Sequence, residues 1–188
     1  MQALPPDFPR FRYHPAPVAT GAVVVSDRTC LCCNRARGHI YRSSVYARRR
    51  DLREAICPWC VADGSAARAF DAQFVQGYED EHRGGRLAEP IADELLSRTP
   101  GYESWQGEHW LVHCGDAMAF LGDASTETLA GLDDDARQRV RTEHAFLFEQ
   151  VFTDWAQLVD GYEPGGELAL YHFRCLHCGI DRLGCDFS

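Results

Sequence analysis

Cys30-Leu31-Cys32-Cys33 and Cys57-Pro58-Trp59-Cys60 decide how this 188-residue chain is read. Each stretch holds a Cys-x-x-Cys pair, and 23 residues separate the two pairs. Zn²⁺ takes four soft ligands in a tetrahedron, and one Cys-x-x-Cys knuckle supplies two of them from a tight turn. Two knuckles on neighbouring hairpins complete a Cys₄ cage, which is the logic of a zinc ribbon. The insert is a little longer than the roughly 15–20 residues usual for that pattern. The competing chemistry is a thioredoxin-like redox pair at Cys57 and Cys60, but redox exchange needs only one pair on a strand-to-helix turn. The second pair therefore favours a metal, and Cys30, Cys33, Cys57 and Cys60 are the expected ligands of a first zinc.

A third knuckle, Cys175-Leu176-His177-Cys178, has no fourth Cys-x-x-Cys to face it. Cys114, at the end of an expected strand, is the natural third thiolate of a second zinc. For the fourth place the candidates are His113, Asp116, His172, His177 and Cys185, of which His113 is favoured because imidazole is a good zinc ligand beside Cys114. Neighbours on a straight strand point to opposite faces, so His113 and Cys114 can share one ion only if the backbone bends. Three protein ligands and an open position would instead make a catalytic zinc with an acidified water, with Asp116 or His113 as base or supporting group. A nucleophilic arrangement of Cys114 with His113 and Asp116 is the weakest alternative, because adjacent residues rarely meet in productive geometry. Cys32 and Cys185 are left over.

Composition bounds the rest. Nine cysteines in spaced pairs, with no basic and apolar leader at the start, fit a reducing cytoplasmic setting where such pairs hold metal rather than disulfides. No apolar run reaches the ~18 residues of a membrane-spanning helix. All nineteen basic residues are arginine, which reads as codon bias in a GC-rich genome. Residues 1–60 hold ten arginines against four carboxylates, a formal +6, whereas residues 61–188 hold nine against twenty-four, a formal −15. The acidic body argues against wrapping nucleic acid and suits a basic protein partner.

Along the chain, the proline-rich start with Phe8, Phe11 and Tyr13 reads as an extended arm anchored on the body. Val18–Ser26 reads as a short strand, Gly38–Tyr46 as a β-rich segment, and Leu52–Ile56 as a strand delivering Cys57. Arg48–Arg50 reads as a solvated turn. Asp63 should cap a helix that packs Phe70. Residues 76–86 are the best candidate boundary. Pro90 opens a helix near 90–98, and His109–Val112 reads as a strand. Asp133–Asp135 opens a long helix over 133–159 whose apolar stripe at Phe148, Val151, Phe152, Trp155, Leu158 and Val159 faces the core. Glu167–Phe173 is a strand delivering the last knuckle. The expected architecture is α+β: an N-terminal arm and zinc-ribbon-like module over 1–75, packed on a mixed antiparallel-sheet and helix body over 87–188 that carries the second zinc site, in one continuous fold.

Several blocks then line up with a known family: Phe11-Arg-Tyr-His-Pro-Ala-Pro17, Cys57-Pro-Trp-Cys-Val-Ala-Asp-Gly-Ser-Ala66, Arg98-Thr-Pro-Gly-Tyr102, Trp105-Gln106, Trp110, His113-Cys114 and Phe173-Arg-Cys-Leu-His-Cys-Gly179. The chain resembles the bacterial CbrC family, described as colicin E2 tolerance proteins. The resemblance spans nearly the whole chain, with residues 123–165 matching loosely. It implies a role connected with tolerance of a nuclease-type toxin and supplies no reaction. It places Cys30, Cys33, Cys57, Cys60, Cys114, Cys175 and Cys178 in shared blocks. The favoured function is a non-enzymatic, zinc-stabilised protein that binds another protein, with a metal-dependent hydrolase or nuclease and a nucleic-acid-binding ribbon as alternatives.

Overall fold

The structure, a computed structural model, describes residues 4–79 and 86–187. It is a mixed α+β arrangement built on small antiparallel sheets. The β-branched run Val23–Val25 (β1) pairs antiparallel with His39–Tyr41 (β2). Phe11 and Tyr13 of the arm are buried, and Phe8 packs edge-on against His39 and Trp59. Leu52–Ile56 is a turn rather than a strand. Glu54 there takes φ +54°, which an extended path cannot accommodate, and the segment is pinned at its end, where Leu31 N–H donates to Ala55 O and Tyr41 N–H to Ile56 O, both at 2.8 Å.

After Cys57 the chain forms two short helices, Pro58–Ala62 (α1) and Ser65–Phe70 (α2). The residue before α2 is Gly64 at φ +70°, while Asp63 accepts from the Ser65 N–H at 2.8 Å, one place earlier than a cap would sit. Glu89–Arg98 (α3) has Pro90 in its first turn and stops at the extended Thr99, as expected. Residues 80–85 of the candidate boundary lie outside the described residues. Residues 77–79 are tied to the body: Trp110 N–H donates to Gly77 O (3.0 Å) and Glu79 N–H to Trp110 O (2.9 Å). The strand expected over His109–Val112 reduces to Val112–His113 (β3), because Trp110 is engaged by that parallel bridge.

β3 turns back on Asp116–Ala117 (β4). Ala119–Asp123 (β5), Leu168–Arg174 (β6) and Asp181–Phe187 (β7) form a three-stranded antiparallel sheet with β6 in the centre. Between β5 and β6 lie Thr126–Gly131 (α4), Asp134–Glu143 (α5), a π-helical turn over Leu147–Val151 and Trp155–Gly161 (α6). The single helix expected over 133–159 is thus broken. Asp133 caps α5 as expected, but Phe152 is extended and Asp154 starts a new helix by accepting from the Gln157 N–H. The core stripe breaks with it: Trp155 and Leu158 are buried, whereas Val151 is exposed.

Three apolar clusters result. Trp110, Tyr102, Phe120 and Phe173 centre the middle one, Ile40, Ile56 and Phe74 the one beneath the first knuckles, and Leu129, Leu147 and Leu158 the helical one. No helix among the described residues is long and apolar enough to cross a membrane.

Candidate metal centres

The first and third knuckles are the same turn. In the first, Cys30 N–H donates to Arg35 O (2.9 Å) and Asn34 N–H to Cys30 O (2.8 Å), with Asn34 at φ +55°. In the third, Cys175 N–H donates to Ile180 O (2.9 Å) and Gly179 N–H to Cys175 O (3.1 Å), with Gly179 at φ +75°. Both turns require a left-handed residue just after the second cysteine, and Asn and Gly are the residues that adopt it most readily. The second knuckle departs from a hairpin. Val61 follows Cys60, and a β-branched residue resists the left-handed region. With Pro58 at the first helical position, the chain continues into α1 instead.

These turns bring Cys30, Cys33, Cys57 and Cys60 together, with all four sulfurs within 4.8 Å of one another. Cys33 and Cys57 are 3.8 Å apart and Cys30 and Cys60 3.9 Å. A tetrahedron with Zn–S near 2.3 Å has edges of about 3.8 Å, whereas a disulfide would bring two sulfurs to about 2.05 Å. Cys57 N–H also donates to Cys30 Sγ at 3.2 Å. Cys30 and Cys57 are fully buried and Cys60 is 3% exposed.

A second group joins His113, Cys114, Cys175 and Cys178, its four ligand atoms again within 4.8 Å. The bend that His113 and Cys114 need is the β3–β4 hairpin. His113 pairs with Asp116 across a two-residue loop in which Cys114 (φ +53°) and Gly115 (φ +73°) are both left-handed, the signature of a type I′ turn. Cys114 and Cys178 sulfurs are 3.8 Å apart, and His113 Nδ1 lies 3.2 Å from Cys114 Sγ and 3.4 Å from Cys178 Sγ. For Zn–N near 2.05 Å the corresponding edge is about 3.5 Å. Here Cys114 and Cys178 are exposed and only Cys175 is buried.

The crowded thiols shift one another's acidities. The Cys57 thiol, with the N–H groups of Cys33, Cys57 and Cys32, draws the Cys30 thiol down to about 4 against the effect of burial. In turn Cys30 and burial push Cys57 far up, and burial first pushes Cys60 up to about 12. In the second group burial resists ionisation of Cys175, yet the N–H groups of Cys178 and His177 bring it to about 6. Cys114 rises to about 11, through desolvation first and then its neighbouring thiols. Four thiols this close cannot all ionise alone, and a divalent cation removes that conflict.

The other candidates fall elsewhere. Asp116 is buried beside the second group but faces away from it. It accepts from Tyr13 Oη (2.8 Å) and Arg12 (2.5 Å) and contacts His177 Nε2 (2.8 Å), so the third knuckle is latched to the arm. His172 contacts Asp181 at 2.7 Å. Cys185 lies on β7 opposite Leu170, and Cys32 Sγ points to Ser65 Oγ at 3.5 Å. The Asp116 latch escaped the sequence reading. Its only sequence signal is the placement of Asp116 just after the Cys114-Gly115 turn. A cavity of about 680 Å³ lies between β7, α5 and the 102–109 loop and includes none of the eight cluster residues. Its Arg182 is held by Glu79 (2.7 and 3.0 Å) and Glu143 (3.0 Å).

The family model for an uncharacterised protein family, UPF0167, matches residues 8–187. The chain is 44% identical over 183 residues to the UPF0167 protein PA1536 of Pseudomonas aeruginosa, covering 97% of this chain and 99% of that one. It is 40% identical over 192 residues to the UPF0167 proteins Mb2317 of Mycobacterium bovis and MT2352 of Mycobacterium tuberculosis, covering 98% of this chain and 96% of each. No solved structure matches it. The chain belongs to the UPF0167 family, and its two cysteine-containing groups could hold metal.

Proposed function

We propose that this member of the UPF0167 family is a non-enzymatic, cytoplasmic zinc protein that acts by binding another protein. Its first zinc is held by Cys30, Cys33, Cys57 and Cys60, and its second by His113, Cys114, Cys175 and Cys178. The observation that carries this reading is the spacing within both groups, 3.8–3.9 Å between sulfurs, which matches the edge of a zinc tetrahedron and far exceeds a disulfide. The first module is ribbon-like in its Cys30–Cys33 hairpin, with α1 in place of the second hairpin.

A four-donor second group supports a structural ion over a catalytic one, because no coordination place is left for water. The 680 Å³ cavity also lies away from both groups. For the nucleic-acid alternative, Arg49 is already engaged bidentately by Asp51, at 2.5 and 2.8 Å.

The formal −15 of residues 61–188 favours a basic partner. With the CbrC resemblance, this extends to tolerance of a nuclease-type toxin whose basic domain the acidic body would meet. The test is to titrate the zinc-loaded chain with such a basic nuclease domain at rising salt. We expect a complex that weakens steeply with salt, and no complex at low salt would end the partner reading.

A further inference from the structure

We infer that the second group is a site of reversible thiol oxidation, at which a hydroperoxide joins Cys114 to Cys178 and thereby frees the bound cation while the first group keeps its own. This rests on the metal-binding reading above.

Access separates the two groups. A hydroperoxide has to reach sulfur, and the exposed Cys114 and Cys178 stand 3.8 Å apart. In the first group the equally close pairs each include a fully buried sulfur, Cys57 facing Cys33 and Cys30 facing Cys60. Reaching disulfide length requires Cys114 and Cys178 to approach by roughly 1.8 Å. Each lies at a hairpin turn, and Cys114 holds a left-handed backbone unusual for a residue with a side chain.

The chemistry balances with the oxidant alone. One exposed thiolate attacks the peroxide, its S–O bond forming as the O–O bond breaks, and the leaving alkoxide or hydroxide takes a proton. The other thiolate then attacks that sulfenic sulfur. The S–S bond forms, the S–O bond breaks, and hydroxide leaves as water after protonation. Two thiols and one hydroperoxide become a disulfide, an alcohol (or water) and water, with two electrons passing from sulfur to peroxide. Cys175 and His113 then remain as two donors where zinc needs four. The disulfide ties the β3–β4 turn to the third knuckle in place of the ion, so the His177–Asp116 contact is kept and the fold persists.

The experiment treats the full zinc-loaded chain with equimolar hydrogen peroxide. Released zinc is followed with a chromogenic chelator, and the disulfide is located by alkylation and peptide mass spectrometry. We expect half the zinc to be released, a Cys114–Cys178 linkage, and recovery with dithiothreitol and zinc. Cys32→Ser and Cys185→Ser should leave the release unchanged. Independently of any variant, iodoacetamide should label Cys114 and Cys178 of the loaded chain at least ~10-fold faster than Cys57 and Cys60. Release of all the zinc together, release of none, or a linkage within the first group would overturn the inference. A chain that binds no zinc at the outset would remove the metal reading itself, and the inference with it.

Discussion

The two cysteine-containing groups share a knuckle and differ in what surrounds it. The first is walled by Ile40, Ile56 and Phe74 and buries three of its four sulfurs, so whatever it binds is part of a core. The second sits on the tips of two hairpins, with Cys114 and Cys178 exposed and its link to the interior running through Asp116, Tyr13 and Arg12. Closely similar donor sets thus occupy two settings, four cysteines within a core and three cysteines with a histidine on hairpin tips of a body that has its own core around Trp110.

The largest difference should come from ligand deletion. Structural zinc contributes roughly 10–16 kcal/mol in small fingers, more than the net stability of most domains. Cys57→Ala should abolish the cooperative melt, whereas Cys178→Ala should keep it at a lowered midpoint, as read by circular dichroism. Equal effects would erase the distinction between the groups. Chelation should sharpen it next: zinc should leave in two phases, with His113 and Cys114 losing their metal signature before Cys30, and a single phase would count against the contrast.

Acid probes the core between the two groups. His14 is fully buried, 2.8 Å from Pro100 O, and burial pulls its pKa from 6.5 down to about 4. A neutral imidazole in the fold and a protonatable one in the unfolded chain make stability fall as pH drops from about 6.5 to about 4, by about 3 kcal/mol. Glu108 works the other way: burial raises its carboxyl to about 7, so its contribution is present below about 4.5 and fades as pH rises through 7. Between about pH 4.5 and 6.5 the two contributions oppose each other, so denaturant melts of His14→Gln should show stability falling as pH rises where the parent is nearly flat. A pH dependence identical to the parent's would mean that His14 titrates alike in the folded and unfolded chain.

The smallest contrast lies in the turns. Gly179→Ala should cost about 1 kcal/mol, all of it backbone, because a Cβ there meets nothing within 4 Å. Asn34→Gly, at the matching place of the first knuckle, should change stability by a few tenths of a kcal/mol at most. Thermal melts of both variants check this, and a large loss at Asn34 would mean its side chain does more than tolerate φ +55°.

The knuckles were readable from spacing alone, because Cys-x-x-Cys constrains a turn whatever the chain does elsewhere. Residues already present in the sequence could have refined the reading. Val61 after Cys60 marks a helix where Asn34 and Gly179 mark hairpins, and Gly115 after Cys114 marks the bend that lets His113 and Cys114 face one point. The strands β5 and β7 were not legible. Gly122 and Gly184 interrupt them, and the charged Arg182 and Asp186 of β7 are buried by tertiary partners, Glu79 and Ser104, that no local pattern reveals. The helix over 133–159 failed for the opposite reason. Its apolar spacing was genuine, but Asp154 offered a cap that divided it.

Zinc-edge X-ray absorption, combined with metal counting on the chain purified without added metal, reaches the central claim most directly. Two zinc ions per chain are expected, sharing seven sulfur donors and one nitrogen. A metal-free chain that melts cooperatively, an oxygen-rich first shell, or Cys30, Cys33, Cys57 and Cys60 found as native disulfides would contradict it.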